Sequence, residues 1–318
     1  MARVSATLAG PTGAQAAAGA VQIVGGVLLA PLLSGTIQHL KARLQGRRGP
    51  TPLQPYRELR RLWSRSAVAV EGTTVVHRAA PSVAAAGVLA AVLLVPCAAD
   101  GPDWGVGHDA LTLLGLLALA RFALAAASWD TSNGFALIGA CRDLMISVHA
   151  EGTLVLAMAV AALAARTTDL RGMIAGTAGA GAWTGPSLAL GGVAFALVAV
   201  AEIGRQPVDN PDTHLELTMI HEGPLLEYAG RDLAYLHWAA HARHWIVLVL
   251  AAQVFLPHAS GTGAQLIALP AVLALLCAAL ALAESLLSKM RVMSVPRFLA
   301  VGTLAALLGV LTRTAGIA

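Results

Sequence analysis

Cysteine is almost absent from this chain, which excludes most metal and redox chemistry. The 318 residues include 3 cysteines, Cys97, Cys141 and Cys277, which lie far apart and form no C-x-x-C pair. Iron–sulfur clusters and structural zinc sites are bound mainly by closely spaced cysteines. We therefore expect no metal and no other cofactor in this chain, and any redox centre would belong to a partner subunit.

Charged and aromatic residues are also scarce. Charged residues make up 12% of the chain and aromatic residues 4%, whereas 57% are hydrophobic and the mean hydropathy is +0.71. In soluble domains about a quarter of the residues are charged. The composition thus excludes an ordinary soluble domain, and the net charge of +4 gives no reason to expect nucleic-acid binding.

Long apolar runs take the place of the missing charges. Each run is long enough, or nearly so, to cross a hydrocarbon core of about 30 Å as a helix. The runs cover residues 15–33, 79–99, 110–127, 145–165, 183–203, 234–256, 265–287 and 298–311. We expect an all-α, polytopic membrane protein with about eight transmembrane helices, folded as a single transmembrane domain over residues 1–318.

The basic residues predict the orientation of these helices. Of the 21 Lys and Arg residues, 16 lie in alternate loops, including nine between Lys41 and Arg78 and three between Arg205 and Arg243. Loops rich in Lys and Arg stay on the cytoplasmic side. We therefore expect both termini on the outer face, with the cytoplasmic loops 41–78, 128–144, 204–233 and 289–297 forming a docking face.

The first basic loop contains an amphipathic segment. The chain breaks at Gly49-Pro50 and continues with apolar residues at helical spacing, namely Tyr56, Leu59, Leu62 and Trp63, with arginines opposite. Such a helix can lie on anionic lipid at the membrane surface. It can also be a docking surface for a soluble partner, and the two interpretations are compatible.

Arg121 falls within the third predicted span. An arginine at mid-helix costs about 2.5 kcal/mol or more unless it is paired or reaches an interface. The candidate counter-charge is Glu151 in the next span, while snorkelling of Arg121 to the interface would have no functional meaning.

The loop after the fifth span concentrates acid. Residues 202–230, EIGRQPVDNPDTHLELTMIHEGPLLEYAG, contain six of the 17 carboxylates and a single arginine, Arg205. Glu202 and Arg205 are spaced for an ion pair. Thr213 and Glu216 have the spacing of a capping box, which predicts a short helix that ends at Gly223-Pro224.

Ionisable residues in or beside the spans predict a hydrated proton path. Lipid cannot solvate a carboxylate, and burial raises its pKa towards neutrality, so that it can exchange protons. Histidines next to glutamates can act as relays. The candidate relay residues are Glu151, Glu202, Glu216, Glu222, Glu227, Glu284, His214 and His221.

Six sequence segments resemble a known family. They read APLLSG, KARLQGRRGP, LQPYRELRRL, RFALAAASWDTSNGFALIGACRDL, AEIGRQPVDNPDTHLELTMIHEGPLLEYAG and ESLLSKMRVMSVPRF. In this order they resemble the NADH dehydrogenase subunit 1 family. Within the family they are most similar to the membrane-anchor subunit of formate-hydrogenlyase-like, membrane-bound nickel–iron hydrogenases.

The resemblance implies a role for several residues. Glu151 matches the family's fourth-span glutamate, Glu202 and Arg205 match a Glu-x-x-Arg, and Pro207 and Asp209 match a Pro-x-Asp. Later loop acids match Glu216, Glu222 and Glu227. The residues expected to tune charge are Arg121, Arg205, Asp130 and Asp209, and those expected to dock the partner are Arg47, Arg48, Gly49 and Pro50.

The resemblance also implies a function. Such a subunit performs no bond chemistry itself and links a cytoplasmic electron-transfer arm to antiporter-like membrane subunits. The partners would be hydrophilic hydrogenase-like or dehydrogenase-like subunits and an iron–sulfur subunit, with iron–sulfur clusters and, in the hydrogenase branch, a nickel–iron centre. The high Ala and Arg content suggests a bacterial source, and hence a multi-pass protein of the bacterial inner membrane.

Departures from the family pattern bear on quinone binding. In PVDNPDTHLELT, Val208 replaces an aromatic residue and His214 stands among the acids, while Glu284 in ESLLSKMR looks more like the hydrogenase branch. These departures count against a bound quinone. Two alternatives stay open, namely the quinone-cavity subunit of an NADH or ferredoxin dehydrogenase and a stand-alone ion-coupled transporter. No inverted repeat is visible in the spans, which counts mildly against the transporter.

Overall fold

The chain folds as a bundle of helices. A computed structural model describes residues 13–68, 70–101, 108–210, 219–258 and 260–316, and within these ranges it contains helices and turns but no β-strand. The helices are α1 (Gly13–Ile23), α2 (Ala30–Leu44), α3 (Gln54–Trp63), α4 (Val75–Leu94), α5 (Ala110–Asp130), α6 (Gly134–Ala165), α7 (Leu170–Thr177), α8 (Pro186–Glu202), α9 (Gly230–Val254), α10 (Thr262–Leu286) and α11 (Val295–Thr314). The predicted all-α class is confirmed.

Six helical segments of the described chain are long and apolar enough to cross a membrane. They are Gly13–Leu44, Val75–Leu94, Ala110–Asp130, Gly134–Ala165, Thr262–Leu286 and Val292–Thr314. Two further helices match the remaining predicted runs: α8 is apolar but has 17 residues, and α9 has 25 residues with a polar first half. The chain is therefore a multi-pass membrane protein, while the count of eight spans and the outer position of both termini stay predictions.

Short polar side chains fix where several helices begin. The Asp109 carboxylate accepts a hydrogen bond from the Thr112 N–H at 3.1 Å, and the Asn133 amide oxygen accepts one from the Phe135 N–H at 2.8 Å. These bonds satisfy amide groups that have no partner inside the helix. They fix the starts of α5 and α6, which contribute the central charged residues.

Two boundaries predicted from the sequence are wrong. Helix α4 ends at Leu94 rather than near residue 99, since Val95 is extended before a proline. Residues 134–144 are not loop, because the Asn133 cap begins α6 there.

The first membrane helix is interrupted by a wide turn. Residues Val24–Leu29 between α1 and α2 form a π-helical segment. A π-helical turn leaves carbonyl groups open to other donors. The Trp238 indole N–H donates to the Val27 carbonyl at 3.0 Å, and the Tyr56 hydroxyl donates to the Leu28 carbonyl. The wide turn is thus joined to both α3 and α9.

Hydrogen bonds gather the predicted cytoplasmic loops at one end of the bundle. The Asp130 carboxylate at the end of α5 accepts from the Thr74 N–H at 2.8 Å, and the Tyr228 hydroxyl donates to the His77 carbonyl at 2.9 Å. The Met290 N–H donates to the Pro207 carbonyl at 2.8 Å. We call this end, which includes the acidic loop of residues 203–229, the acidic end.

Close packing holds the acidic loop against α6. Residues Gly223–Leu225 form a short 3-10 turn, and a Cβ added at Gly139 would lie 2.7 Å from the Gly223 Cα. Only a pair of glycines permits this approach of two backbones. The contact positions the loop beside the α6 residues described next.

Candidate functional site

Arg121 is buried among three carboxylates near the acidic end. Its guanidinium is 3.0 Å from Glu151 Oε1, 2.9 Å from Glu202 Oε2 and 3.7 Å from Asp143 Oδ2. The Arg121 side chain is only 5% exposed. The planar guanidinium can serve several acids at once, which an ammonium group cannot do in the same geometry.

Three helices bring these groups together. Arg121 lies in α5, Asp143 and Glu151 lie in α6, and Glu202 is the last residue of α8. Asp143 and Glu151 are eight residues apart, which places them about two turns apart on one face of α6. The expected counter-charge Glu151 is therefore joined by two more acids.

His221 connects this group to the acidic loop. Its Nδ1 is 3.1 Å from Asp209 Oδ2, and its Nε2 is 3.5 Å from Asp143 Oδ1. The Asp209 carboxylate also accepts a hydrogen bond from the Lys289 ammonium at 2.7 Å. A continuous row of ionisable groups thus runs from Lys289 to Glu151. We call it the charged row: Lys289, Asp209, His221, Asp143, Arg121, Glu202 and Glu151.

Neighbouring charges perturb the two loop members of the row. Burial lowers the pKa of His221, but the Asp209 hydrogen bond and the negative charges of Asp143 and Asp209 outweigh burial and raise the pKa above its ordinary value. Burial raises the pKa of Asp209, but hydrogen bonds and positive charge from His221 and Lys289 hold it well below its usual range. The charged forms of both side chains are therefore favoured.

The expected ion pair between Glu202 and Arg205 does not form. Gly204 adopts a φ of +62°, in the left-handed region, and turns the chain away from the axis of α8. Arg205 therefore lies 3.3 Å from Glu284 Oε1 instead, while Glu202 binds Arg121. A Cβ at Gly204 would lie 3.0 Å from the His221 ring, so the turn also fixes that histidine.

Glu284 forms a second, fully buried ion group. Its Oε2 is 3.1 Å from the Lys41 ammonium, and its Oε1 faces Arg205. The Glu284 side chain is 0% exposed. Two cations therefore share one carboxylate where α2, α10 and the acidic loop meet.

A cavity of about 880 Å³ joins the two ion groups to the surface. Its inner walls include Arg121, Glu202 and Arg205, and its outer rim includes the exposed Arg47 and Arg48. One oxygen of Glu202, Oε1, is buried and accepts no hydrogen bond from the described residues. Within these same ranges, no group of three His, Cys, Asp or Glu side chains is arranged to hold a metal ion.

The other predicted residues have separate positions. Glu222 lines the cavity, and Gly49 and Pro50 follow the two rim arginines. Glu227 accepts a hydrogen bond from the Asn133 side chain, and Asp130 caps the start of α4 rather than entering the charged row. His214 and Glu216, together with the predicted capping box, lie outside the described residues.

Four charged residues of the site were not expected. Asp143, Lys289 and Lys41 pair with predicted residues, and Arg243 lines the cavity and donates to the Leu117 carbonyl at 3.2 Å. Arg243 could have been found, since it falls inside the predicted span 234–256. Asp143 and Lys289 gave no comparable indication, because both belong to segments interpreted as solvated loops.

The fold and the charged row define a class: a multi-pass, all-α membrane protein with buried ion groups under a cavity at one end. The chain belongs to the NADH dehydrogenase subunit 1 family, since the family model described as NADH dehydrogenase matches residues 18–315. The family expected from the sequence segments is thereby confirmed.

Individual relatives agree with this assignment. Hydrogenase-4 component C of Escherichia coli is 33% identical over 232 residues, which cover 73% of this chain and 72% of the relative. Formate hydrogenlyase subunit 4 of Escherichia coli is 34% identical over 229 residues, covering 72% and 74%. A subunit of the NADH-quinone oxidoreductase of Salinibacter ruber is 25% identical over 242 residues, covering 73% and 69%.

A solved structure has the same fold. A chain in the structure of the membrane-bound sulfane sulfur reductase, an archaeal respiratory membrane complex, matches with a TM-score of 0.78 over 95% of this chain and 100% of that chain. The sequence identity is 18%, so this match bears on the fold alone.

Proposed function

We propose that this chain is the membrane subunit of a formate-hydrogenlyase-type hydrogenase complex in the bacterial inner membrane. In this proposal it anchors the hydrophilic electron-transfer subunits and couples their redox chemistry to proton translocation. The two Escherichia coli relatives are named as hydrogenase and formate hydrogenlyase components, which supports the hydrogenase branch. The observation on which the coupling role rests is the unbroken charged row from Lys289 to Glu151.

The row can respond to charge at the cytoplasmic surface. An electron that arrives in a nearby partner subunit adds negative charge, which favours proton uptake by the closest groups. Lys289, Asp209 and His221 form the end of the row nearest that surface. Asp143 lies between two cationic neighbours, His221 and Arg121. A proton gained or lost at His221 therefore changes the net charge around Asp143. Arg121 then relays the change electrostatically to Glu202 and Glu151.

Glu202 is suited to hold the transferred proton. One of its oxygens is bonded to Arg121, and the other is buried without a hydrogen bond from the described residues. A carboxyl group can carry a proton on one oxygen while the other still accepts a hydrogen bond. Glu202 also lines the cavity, which offers a route for water to reach it.

Glu151 is the proposed exit towards a second membrane subunit. Its side chain is 40% exposed, and Val148 and Val155 on the same face of α6 are 71% and 40% exposed. A carboxylate at this depth cannot face lipid without a large penalty. An antiporter-like membrane partner with polar side chains at this depth would cover it.

The hydrophilic partners would dock at the outer rim of the cavity. Arg47 and Arg48 are exposed there, next to the loop that contains Gly49 and Pro50. The pair provides positive charge for an acidic surface of an iron–sulfur subunit or a hydrogenase-like subunit. The redox centres, iron–sulfur clusters and a nickel–iron centre, would be bound by those partners.

Coupling is tested by Glu202→Gln in the assembled complex. The substitution keeps the shape of the side chain but removes the titratable group. We expect hydrogenase activity with an artificial dye to persist while proton uptake by vesicles, followed with a pH-sensitive fluorophore, is lost. Glu71→Gln, at an exposed acid with no partner in the described residues, is the matched control. Equal loss of both activities in Glu202→Gln would indicate a structural role only.

The cavity favours one alternative, a quinone-binding dehydrogenase subunit. Its walls combine apolar Leu59 and Leu62 with the donors Arg121 and His241, which fits a quinone ring and its carbonyl oxygens. A bound quinone would accept electrons from the partner's clusters. The hydrogenase proposal expects no quinone in an organic extract of the purified complex and no effect of quinone-site inhibitors.

A further test separates both proposals from a stand-alone transporter. The chain alone, reconstituted in liposomes, is expected to move no protons, because no electron transfer drives the row. Ion transport by the isolated chain would favour the transporter.

A further inference from the structure

We propose that the outer edge of α3 binds acidic phospholipid at the cytoplasmic membrane surface. The edge consists of Arg57, Arg60 and Trp63, with Leu59 and Ser64 beside them. This inference is independent of proton coupling, because none of these residues belongs to the charged row.

The sequence of α3 separates apolar and basic residues around the helix. At about 100° per residue, Leu59, Tyr56 and Trp63 fall on one side, and Arg60 lies next to that side. Leu62 lines the cavity, and Leu59 lies between the cavity and the outer surface of the helix, lining both. The edge of Arg57, Arg60 and Trp63 lies opposite Leu62 on the helix and therefore faces away from the cavity.

One contact, together with the exposure of the first membrane helix, places this edge near the level of the lipid headgroups. The Tyr56 hydroxyl donates to the Leu28 carbonyl in the first membrane helix. Leu28 is 58% exposed and Leu29 is 46% exposed, so lipid chains reach this side of the helix. Leu28 lies five residues, about 8 Å along the helix, before the end of the predicted apolar run 15–33. A helix fixed there lies at the boundary between hydrocarbon and headgroups.

Trp63 has the position of an interfacial tryptophan. Its side chain is 50% exposed, and its ring contacts Tyr235 of α9 edge to face, with centroids 5.0 Å apart. Tryptophan is enriched at membrane interfaces because one part of the ring is apolar and its N–H is polar. The α9 contact holds the ring without covering it.

The charge of the edge selects an anionic headgroup. Arg57 and Arg60 are exposed, and neither guanidinium has a hydrogen bond or an ion pair with a described residue. Over residues 41–78 there are nine basic residues but only two acidic ones, Glu58 and Glu71. Basic residues beside a membrane attract acidic lipids. A guanidinium binds phosphate with paired hydrogen bonds.

A shallow groove completes the site. Leu59, Arg60, Trp63 and Ser64 line it on the surface of α3. Arg60 and the Ser64 hydroxyl can hold a phosphate group, while Leu59 and the Trp63 ring contact the first methylene groups of the acyl chain. This mixture of polar and apolar groups favours a phospholipid over a soluble protein partner, which would have to approach beside lipid-exposed Leu28.

Quenching of tryptophan fluorescence tests the site in the assembled complex. The complex is reconstituted in phosphatidylcholine vesicles containing brominated phosphatidylglycerol or an equal fraction of brominated phosphatidylcholine. Trp63→Phe measured in parallel isolates the fluorescence of Trp63. We expect stronger quenching of Trp63 by the brominated acidic lipid. In the Arg57→Gln/Arg60→Gln variant, the preference of the site for the acidic lipid over phosphatidylcholine should fall by about five-fold for each arginine removed.

The matched control changes the same net charge elsewhere at the acidic end. Arg78→Gln/Arg291→Gln removes two exposed arginines outside α3 and should keep the preference. Equal quenching of wild-type Trp63 by both lipids would overturn the proposal. So would equal losses in the two double variants. Quenching in the isolated chain but not in the complex would show that a protein partner covers α3, which would also overturn it.

Discussion

Asp209 and His221, twelve positions apart in the acidic loop, are joined twice through one oxygen. Asp209 Oδ2 lies 3.1 Å from His221 Nδ1 and accepts a second hydrogen bond from the His221 backbone N–H at 3.2 Å. The pair closes the loop on itself, and His221 Nε2 reaches Asp143 on α6. A loop segment and a membrane helix thus share one titratable side chain.

The stability of the complex should depend on pH through His221. The pKa of this histidine is raised in the folded protein, so its ion pairs are fully present below the ordinary value of about 6.5. They are lost as the pH rises through the folded-state pKa. We expect the thermal unfolding midpoint of the complex to fall as the pH rises above about 6.5. The fall should correspond to a loss of about 2 kcal/mol in the free energy of unfolding.

His221→Gln should flatten this pH dependence and lower the midpoint mainly at acidic pH. His149→Gln, at an exposed histidine of α6, serves as the control and should leave the wild-type profile. A profile in His221→Gln as steep as that of the wild type would assign the titration to another group.

Gly204→Ala should displace His221. A residue with a Cβ in the left-handed region costs about 1–2 kcal/mol, and here the new methyl group would also press on the histidine ring. We expect proton uptake to fall while dye-linked hydrogenase activity persists. The acidic loop should also become more sensitive to proteolysis.

Gly46→Ala is the control that separates backbone strain from displacement of the His221 ring in Gly204→Ala. Gly46 has a φ of +69°, but a Cβ there would meet nothing within 4 Å. The backbone penalty is therefore similar and the effect on the charged row is absent. If both variants reduced proton uptake to the same extent, the contact with His221 would have no special role.

Glu284→Gln should be among the most destabilising substitutions at the site. It leaves the buried Lys41 and Arg205 without their shared counter-charge, and breaking a buried pair costs about 3–5 kcal/mol. We expect less assembled complex in the membrane, measured by quantitative immunoblotting. The double variant Glu284→Gln/Lys41→Met should recover part of the loss, because one of the two buried cations that shared the Glu284 carboxylate is removed. No recovery would argue that Lys41 is stabilised by other contacts.

Arg121→Lys tests whether simultaneous contacts with several acids are required. Arg121 bonds Glu151 through Nη1 and Glu202 through Nη2, and a lysine ammonium cannot reproduce this geometry. We expect assembly to persist at reduced stability, lower by about 1–3 kcal/mol, with proton uptake largely lost. Wild-type proton uptake in this variant would show that positive charge alone is sufficient.

Pairings set by helix periodicity and charge could be predicted, whereas pairings set by the path of the loop could not. The burial cost of Arg121 required a carboxylate, and Glu151 in the neighbouring span was a natural candidate. Local spacing gave a wrong partner for Glu202, because the turn at Gly204 overrides the i to i+3 relation. Asp143 meets His221 only because two glycines let the loop pack on α6. Such contacts depend on how distant segments of the chain pack together, and no periodic pattern in the sequence indicates that packing.

The wide turn at Val24–Leu29 sets the angular phase of the first membrane helix. Each residue of an α-helix advances the chain by about 100°, so the loss of one residue from this turn would rotate everything that follows by about that angle. Ser34, whose hydroxyl is 2.8 Å from His244 Nδ1, and Lys41 would both swing away from their partners. A length change distant from the acids would therefore misalign the inner wall of the cavity without altering a single ionisable side chain.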